Sequence, residues 1–174
     1  MKRALGILLT LVMILSLGMA SAATLNTWGN PGTDLTSIGY FTKEDRIIEG
    51  NSTHVNATDS FGNTYASLIY SDTEEGMIEY RLGGAYETLE ATVYIPTYAL
   101  QNGWDHMWDT AEISIYADNQ FVGTISGFTS HDAPLPIAID VEGVQFLRFE
   151  FDDVCFYYMG RANALAVIGN PTLY

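Results

Sequence analysis

The sequence predicts an all-β protein, built as an antiparallel β-sandwich. Apolar and polar residues alternate with a period of two in several segments, and turn-forming residues separate those segments. Helical spacing of apolar residues is hard to find after residue 22. A period of two places one face of a strand in a core and the other in water, as two packed antiparallel sheets require.

Four segments show this alternation most clearly, at residues 78–82, 89–95, 113–116 and 147–151. Successive side chains of a strand point to opposite faces, so the apolar positions of each segment share one face. We expect the following residues of those faces to lie in the core: Leu89, Val93, Ile113, Ile115, Leu147, Phe149 and Phe151.

Turn signals separate the predicted strands. Gly83-Gly84 and Glu142-Gly143 each lie between two of them, and Gly169-Asn170-Pro171 is expected to kink the last one. Asp118 and Asn119 tolerate positive φ, so they predict a tight hairpin. The spacing of these turns is typical of a sandwich or a barrel.

Two prolines, Pro134 and Pro136, precede another apolar segment. Because proline has no N–H to donate to a strand ladder, the strand is expected to begin after them, at residues 137–141.

The first 22 residues resemble a secretory signal peptide. Lys2 and Arg3 precede an apolar run over residues 4–17, and the small residues Ala20-Ser21-Ala22 follow. We expect cleavage after Ala22, which makes the protein secreted and extracellular. The alternative is an uncleaved anchor, because the apolar run extended to Ala22 is long enough to span a bilayer.

The rest of the chain has the length of one domain, about 150 residues. Residues 23–58 show little alternation and are expected to add edge strands to the sandwich formed by residues 59–174. Cys155 is the only cysteine, so no disulfide can form within the chain, and a buried thiol is expected in its apolar surroundings.

The charge excludes some partners. The chain has 21 acidic and 7 basic residues and a net charge of −14 at pH 7. Such a surface repels phosphates, so nucleic acid and anionic membranes are not expected to bind. A strongly acidic surface can keep the protein soluble, or its carboxylates can bind a structural calcium ion. No other cofactor is indicated.

Residues 98–109 are the candidate ligand site. This segment holds two of the three tryptophans and is expected to form a loop between two strands. Flat aromatic rings can cover the C–H face of a sugar, while polar side chains bind its hydroxyl groups. The candidate aromatic and polar residues are Tyr98, Asn102, Trp104, Asp105, His106, Trp108 and Asp109.

Other interpretations of this segment stay open. Trp104 and Trp108 could instead pack under the sandwich as a hydrophobic plug. A metal site at Asp105, His106 and Asp109 is a weaker hypothesis, because it lacks the spaced His or Cys cluster that zinc prefers. His131-Asp132 and residues 161–163 could join the site if their loops lie at the same end of the sandwich.

No catalytic motif is found, and the chain has only three histidines. Acidic residues are so frequent that carboxylate pairs carry no information about hydrolysis. We therefore expect a protein that is not an enzyme.

From about residue 59 onward, the order of features resembles the NPCBM family of carbohydrate-binding modules. Asp59, Gly62 and Tyr65 match a D-x-x-G-x-x-Y motif, and residues 80–89 match Y-x-L-x-G-x-Y-x-x-L. Further matches are a Y-x-D-G hairpin at 116–119, a D-V-x-G strand start at 140–143 and a final strand at 168–174. Asn119 stands where the family usually has glycine, and Gly84-Ala85 alters the usual turn.

The resemblance implies a galactose-binding-like, jelly-roll sandwich and a sugar-binding function, and it assigns no ligand residues. The predicted function is therefore a secreted carbohydrate-binding module that binds a glycan or polysaccharide through loop aromatics without catalysis. The alternatives are a structural or protein-interaction sandwich of the cell surface and a small glycan-active hydrolase.

Overall fold

The computed structural model describes residues 31–72, 75–97, 112–127, 132–152, 155–158, 161–164 and 166–174. They form thirteen strands and a short 3-10 helix, Leu35–Ser37. The strands are β1 (Thr33–Asp34), β2 (Tyr40–Lys43), β3 (Ile47–Asn51), β4 (Ser67–Ser71), β5 (Gly76–Arg81), β6 (Thr88–Tyr94), β7 (Glu112–Ala117), β8 (Gln120–Ser126), β9 (Leu135–Asp140), β10 (Phe146–Asp152), β11 (Cys155–Tyr158), β12 (Arg161–Ala164) and β13 (Val167–Leu173).

The strands form two large antiparallel sheets and one hairpin. The six-stranded sheet has the order β3-β4-β13-β6-β9, with β1 also paired to β13, and the five-stranded sheet has the order β2-β5-β10-β7-β8. Strands β11 and β12 pair only with each other. This architecture confirms the predicted antiparallel β-sandwich.

The main core lies between the two sheets. All seven residues predicted from the alternation to be inside are at most 5% exposed, so that prediction is confirmed. They pack in one cluster with residues from both sheets, such as Tyr80 and Ile168, and with Leu35 of the 3-10 helix. Each fully buried side chain of this size contributes about 1.5–3 kcal/mol to folding.

The predicted hairpin at Asp118-Asn119 is also present. These residues join β7 to β8 with φ angles of 48° and 64°, which a two-residue turn of this kind requires. The Asp118 carboxylate then accepts hydrogen bonds from the backbone N–H groups of Gln145 and Phe146, at 3.0 and 2.9 Å. The hairpin is thereby tied to the start of β10.

The start of β9 differs from the prediction. The strand begins at Leu135 and includes Pro136, which pairs with Thr92 of β6. The expectation that both prolines precede the strand was wrong, because β9 is the outermost strand of its sheet. A proline is tolerated there, since an edge strand has one side without ladder hydrogen bonds.

The predicted kink in the last strand is confirmed. The pairing of β13 with β6 shifts between Gly169 and Thr172, and Asn170 has a φ of 48°. The Asn170 side-chain oxygen accepts the backbone N–H of Ala66 at 2.7 Å, so the irregularity also positions the chain just before β4.

A second, smaller core lies on the outer face of the six-stranded sheet. Residues 52–66 cross this face, and we call them the cover segment. They bury Leu68, Tyr70, Tyr94 and Val167 together with the segment's own Ala57 and Tyr65. Strand β4 is therefore buried along its whole length, because one face meets the main core and the other meets the cover segment.

The N-terminal part of the described chain contributes to both sheets. Strand β2 is an outer strand of the five-stranded sheet, and β3 is an outer strand of the six-stranded sheet. The signal peptide and the domain boundaries at residues 22 and 58 stay predictions, as does the buried thiol of Cys155. Within the ranges that the structure describes, no helix has the length and apolar character needed to cross a membrane.

Candidate functional site

Three long connections join one sheet to the other, and their flanking strands begin and end at the same end of the sandwich, which we call the loop end. They are residues 95–111 between β6 and β7, residues 127–134 between β8 and β9, and residues 153–166 between β10 and β13. The strand register establishes their common location. Tyr94 at the end of β6 pairs with Val167 at the start of β13. In the other sheet, Glu112 pairs with both Asp152 and Ser126.

The opposite end, the turn end, has short connections. Residues 82–87, 118–119 and 141–145 join successive strands there. Gly83, Gly84 and Gly143 have positive φ at two of these turns. The three long connections that cross between the sheets are thus anchored at the loop end, whereas residues 52–66, which join β3 to β4, leave and re-enter the six-stranded sheet away from it. Binding residues are often found on loops of a rigid scaffold.

The candidate residues Tyr98, Asn102, Trp104, Asp105, His106, Trp108 and Asp109 lie outside the described residues, as does His131. The strands that flank them are described and show where the segment begins and ends. Strand β6 ends before residues 98–109 in one sheet and β7 begins after them in the other sheet, both at the loop end. Asp132 precedes β9 at this end, and residues 161–163 belong to β12 within the third connection. His131-Asp132 and residues 161–163 could join the candidate site only if their connections share one end of the sandwich with residues 98–109. The strands that flank these connections do meet at one end.

The cover segment anchors the start of the candidate loop. Ser60 N–H donates to the Ile95 carbonyl at 3.1 Å, and Thr97 N–H donates to the Thr58 carbonyl at 2.8 Å. The Thr97 hydroxyl also donates to the Asp59 carbonyl. Residues 95–97 are thus hydrogen-bonded to residues 58–60 just after β6, with an isolated bridge between Asp59 and Pro96, and the candidate segment starts from a fixed position.

Asp59 stabilises the turn that forms this anchor, by which we mean residues 58–60 hydrogen-bonded to residues 95–97. Its carboxylate accepts the N–H groups of Phe61 and Asn63 on Oδ1, both at 2.9 Å. On Oδ2 it accepts the Asn63 side-chain amide at 2.8 Å and the Tyr65 hydroxyl at 2.9 Å. Burial acts to raise the pKa of Asp59, but the hydrogen bonds from Asn63, Tyr65 and Phe61 together outweigh it and hold the pKa below its usual value.

This arrangement explains the D-x-x-G-x-x-Y motif physically. Asp59 caps the turn, Gly62 adopts a φ of 91°, and Tyr65 closes the turn with its hydroxyl. Sequence reasoning identified the motif but missed its role as the support of the candidate loop.

Two tyrosine rings connect the anchor to the sheet. Tyr65 stacks on Tyr94 with ring centroids 4.1 Å apart and an interplanar angle of 8°. The Tyr94 hydroxyl donates to the Asn56 carbonyl at 2.8 Å. Burial raises the pKa of both hydroxyls, with Asp59 adding to the effect, so both stay protonated at physiological pH.

A shallow pocket opens beside the end of β6. It is lined by Ser60 from the cover segment, by Tyr94 and Ile95, and by Asp132 and Pro134 from the connection before β9. The cover segment and the residues just before β9 therefore lie together beside the end of β6, next to the point where the candidate segment starts.

The described part of the chain contains no cluster of three or more His, Cys, Asp or Glu side chains that could hold a metal ion. Asp59 does not offer a calcium ligand, because both of its oxygens already accept hydrogen bonds. The structural calcium ion stays a prediction.

No protein-family model matches the chain, and no curated protein matches it. Among solved structures, it is similar to CBM51 from Clostridium perfringens GH95 in complex with methyl-galactose. The TM-score is 0.58 and the identity 16%, over 83% of this chain and 100% of that one.

Two longer chains are similar as well. One contains CBM51-2 in complex with GlcNAc and INT domains from Clostridium perfringens ZmpB, with TM-score 0.61 and 11% identity over 83% of this chain and 31% of that one. The other contains the tandem CBM51 modules of Sp3GH98, a family 98 glycoside hydrolase from Streptococcus pneumoniae, with TM-score 0.62 and 10% identity over 82% and 46%.

The chain spans all of the isolated module but less than half of the two longer chains. At this identity the likeness shows the fold, which is the galactose-binding-like sandwich of carbohydrate-binding modules. The NPCBM resemblance stays a prediction.

Proposed function

We propose that the protein is a secreted carbohydrate-binding module that holds a glycan at the loop end and does not catalyse a reaction. The topology is the observation that supports the proposal: the strands that flank residues 95–111, residues 127–134 and residues 153–166 all meet these segments at the loop end of the sandwich. The solved modules of the same fold carry methyl-galactose and GlcNAc, which supports a sugar as the ligand class.

The residue types fit this ligand. Tyr98, Trp104 and Trp108 supply flat apolar surfaces for the C–H face of a sugar ring. The hydrogen-bonding groups of Asn102, Asp105, His106 and Asp109 can bind hydroxyl groups. Each ring contact is worth about 0.5–1.5 kcal/mol, by analogy with aromatic pairs. After ordering costs, we expect an affinity between about 1 mM and 1 μM.

The net charge of −14 favours a neutral ligand, because a strongly acidic surface repels polyanions. Binding through stacking and neutral hydrogen bonds should persist in high salt, in which exposed ionic contacts are screened.

The test replaces Trp104 or Trp108 with alanine and measures two properties of each variant. Titration calorimetry gives the affinity for galactose, N-acetylglucosamine and hits from a glycan array, and thermal unfolding gives the stability. We expect weaker sugar binding with little change in stability. Val55→Ala is the control, because Val55 is exposed and lies in the cover segment.

Three results would contradict the proposal. A loss of about 3–5 kcal/mol in both tryptophan variants would identify the segment as a hydrophobic plug. An array without any sugar signal would favour a protein-interaction or structural sandwich. Turnover of chromogenic glycosides would instead indicate a hydrolase.

Structural calcium is a separate part of the proposal. A cation that binds only the folded state raises the melting temperature by mass action. Equal melting temperatures in millimolar calcium and in chelator would contradict the proposed calcium site.

A further inference from the structure

The outer face of the five-stranded sheet carries aromatic residues that are open to solvent. We call it the open face. Phe41 of β2 is 59% exposed and Phe121 of β8 is 61% exposed, at opposite sides of the sheet. The solvent side of an antiparallel sheet is normally polar, so large exposed rings at both sides need an explanation.

A row of side chains crosses this face from one edge to the other. Arg148 of β10 pairs with Glu79 on one side and with Tyr116 on the other. Glu79 pairs with Thr42 of β2, and Tyr116 pairs with Phe121 of β8. Directly paired residues share a face, so the five form a track across all five strands, about 19 Å long at the usual strand spacing.

The middle of the row is polar and held in place. The Arg148 Nε atom lies 2.9 Å from the Glu150 carboxylate, and its Nη1 atom lies 3.9 Å from that of Glu79. Nη1 also donates to the Asn119 side-chain oxygen at 3.0 Å. The guanidinium lies 4.5 Å from the Tyr116 ring centroid. Four neighbours therefore fix this side chain, and its charge is balanced locally.

Aromatic pairs flank this polar centre. Phe41 contacts Phe146 with ring centroids 5.0 Å apart, and Tyr116 contacts Phe121 edge-on at 5.6 Å. The hydroxyls of Ser114 and Thr124 lie 2.9 Å apart on the next row. The face thus has a pair of aromatic rings on each side of a polar centre.

We propose that the open face is a second ligand-binding surface, which takes a linear, uncharged glycan chain lying across the strands. Phe41 beside one end of the track and Phe121 at the other end fit C–H surfaces of successive sugars, and the centre fits their hydroxyl groups. The inference rests on the proposed function only for the class of ligand, because its residues are separate from the loop end.

Charge and shape argue for this occupant. The carboxylates of Glu79 and Glu150 offset Arg148, so the centre of the track has no excess positive charge for an anionic polymer. A protein partner would need a continuous apolar centre, and here charged groups interrupt it. A neutral, hydroxyl-rich chain avoids both conflicts.

The test uses the whole protein in gels that contain neutral polysaccharides: a β-glucan, a galactan, a mannan and a xylan. Retardation of migration measures affinity for each polymer. Phe121→Ala and Phe41→Ala should each weaken retardation by at least one polymer about twofold to tenfold, the loss of one stacking contact. Val55→Ala is the matched control, because Val55 is 63% exposed on the other side of the molecule and should bind as the unmodified protein does.

The outcomes separate the two sites. If Trp104→Ala abolishes binding of galactose and N-acetylglucosamine but Phe121→Ala still lowers polymer retardation, both sites stand. If Phe121→Ala lowers polymer retardation and Trp104→Ala does not, and neither monosaccharide binds, the open face is supported without the loop site. Retardation equal in Phe121→Ala, Phe41→Ala and the unmodified protein overturns the open face, and so does a lack of retardation by all four polymers.

A further measurement tests whether a second copy of the protein, and not a glycan, binds to the open face. If sedimentation shows that the unmodified protein self-associates and that Phe121→Ala makes it monomeric, the open face is an interface between copies and the glycan proposal is wrong. A monomer in both cases supports the proposal when retardation is also weakened.

Discussion

The outer faces of the two sheets differ although both carry aromatic residues. On the six-stranded sheet, the cover segment packs over Tyr70 and Tyr94 and adds its own Tyr65, and all three are at most 6% exposed. On the five-stranded sheet, Phe41 and Phe121 are more than half exposed. One face is part of the folded core and the other is presented to solvent.

The difference originates in polar groups more than in the aromatic rings. The cover segment stays on its sheet because Asp59 accepts four hydrogen bonds and because Tyr94 donates to the Asn56 carbonyl. On the open face, the comparable polar group is Arg148, and its neighbours belong to the same sheet or to its hairpin turn. The first arrangement holds a segment of the chain in place, whereas the second leaves space for a ligand.

The largest expected effect contrasts one ring from each face. Tyr94→Ala removes a ring that stacks on Tyr65 and should destabilise the protein by about 3–5 kcal/mol. Phe121→Ala removes an exposed ring and should change stability by less than about 0.5 kcal/mol. Urea unfolding measures both. Similar losses in the two variants would contradict the division into a covered and an open face.

Asp59 should show the next effect. Asp59→Ala leaves buried N–H and O–H donors without an acceptor, and we expect a loss of about 2–4 kcal/mol. Asp59→Asn is the matched control, since it keeps one acceptor oxygen and should lose less. Denaturant midpoints test the order. A loss below about 1 kcal/mol for alanine would mean that the cover segment does not depend on this carboxylate.

Gly169 tests how closely the covered face is packed. A Cβ atom at this position would lie 2.5 Å from Tyr65 Cδ1 and 2.6 Å from Tyr94 Cε1. Gly169→Ala should therefore separate the stacked rings and destabilise the protein by about 1–3 kcal/mol. Gly123→Ala on the five-stranded sheet is the control, because nothing lies within 4 Å of its Cβ position. Equal stability of the two variants would contradict the packing.

The sequence was sufficient to predict those strands in which apolar and polar residues alternate with a period of two. Alternation located strands β5, β6, β7 and β10 and the buried residues on them, and the hairpin at Asp118-Asn119 followed from local backbone preferences. Pro136 was misassigned because its position on an edge strand depends on the order of strands in the sheet, which no local pattern contains.

The cover segment could not be predicted, for a physical reason. It has no regular pairing of its own, and its order comes from side chains that bind backbone groups and from rings far away in the sequence, such as Tyr65 on Tyr94. The motif around Asp59 was visible, but its role as an anchor needed the pairing of residues 58–60 with 95–97. The ligand residues of the loop end stay a prediction.

The smallest expected effect is a pH dependence confined to the covered face. His54 Nδ1 accepts the Asn56 N–H at 3.2 Å, so the ring proton is on Nε2, which lies 3.1 Å from the Tyr70 hydroxyl. Burial lowers the pKa of His54. A group whose folded pKa is lowered stabilises the protein above its unfolded pKa, about 6.5 for histidine, and this stabilisation is lost as the pH falls.

The measurement compares the urea midpoint at pH 7.5 and at pH 5.5 for the unmodified protein and for His54→Gln, which cannot be protonated. Asp59 stays ionised throughout this range, because its pKa lies below 3.8, so its contribution does not change. The other two histidines are the same in both proteins and cancel in the comparison. We expect the unmodified protein to lose more stability on acidification than His54→Gln does. An equal loss would mean that protonation of His54 is no less favourable in the folded state, and the cover segment would then be insensitive to pH in this range.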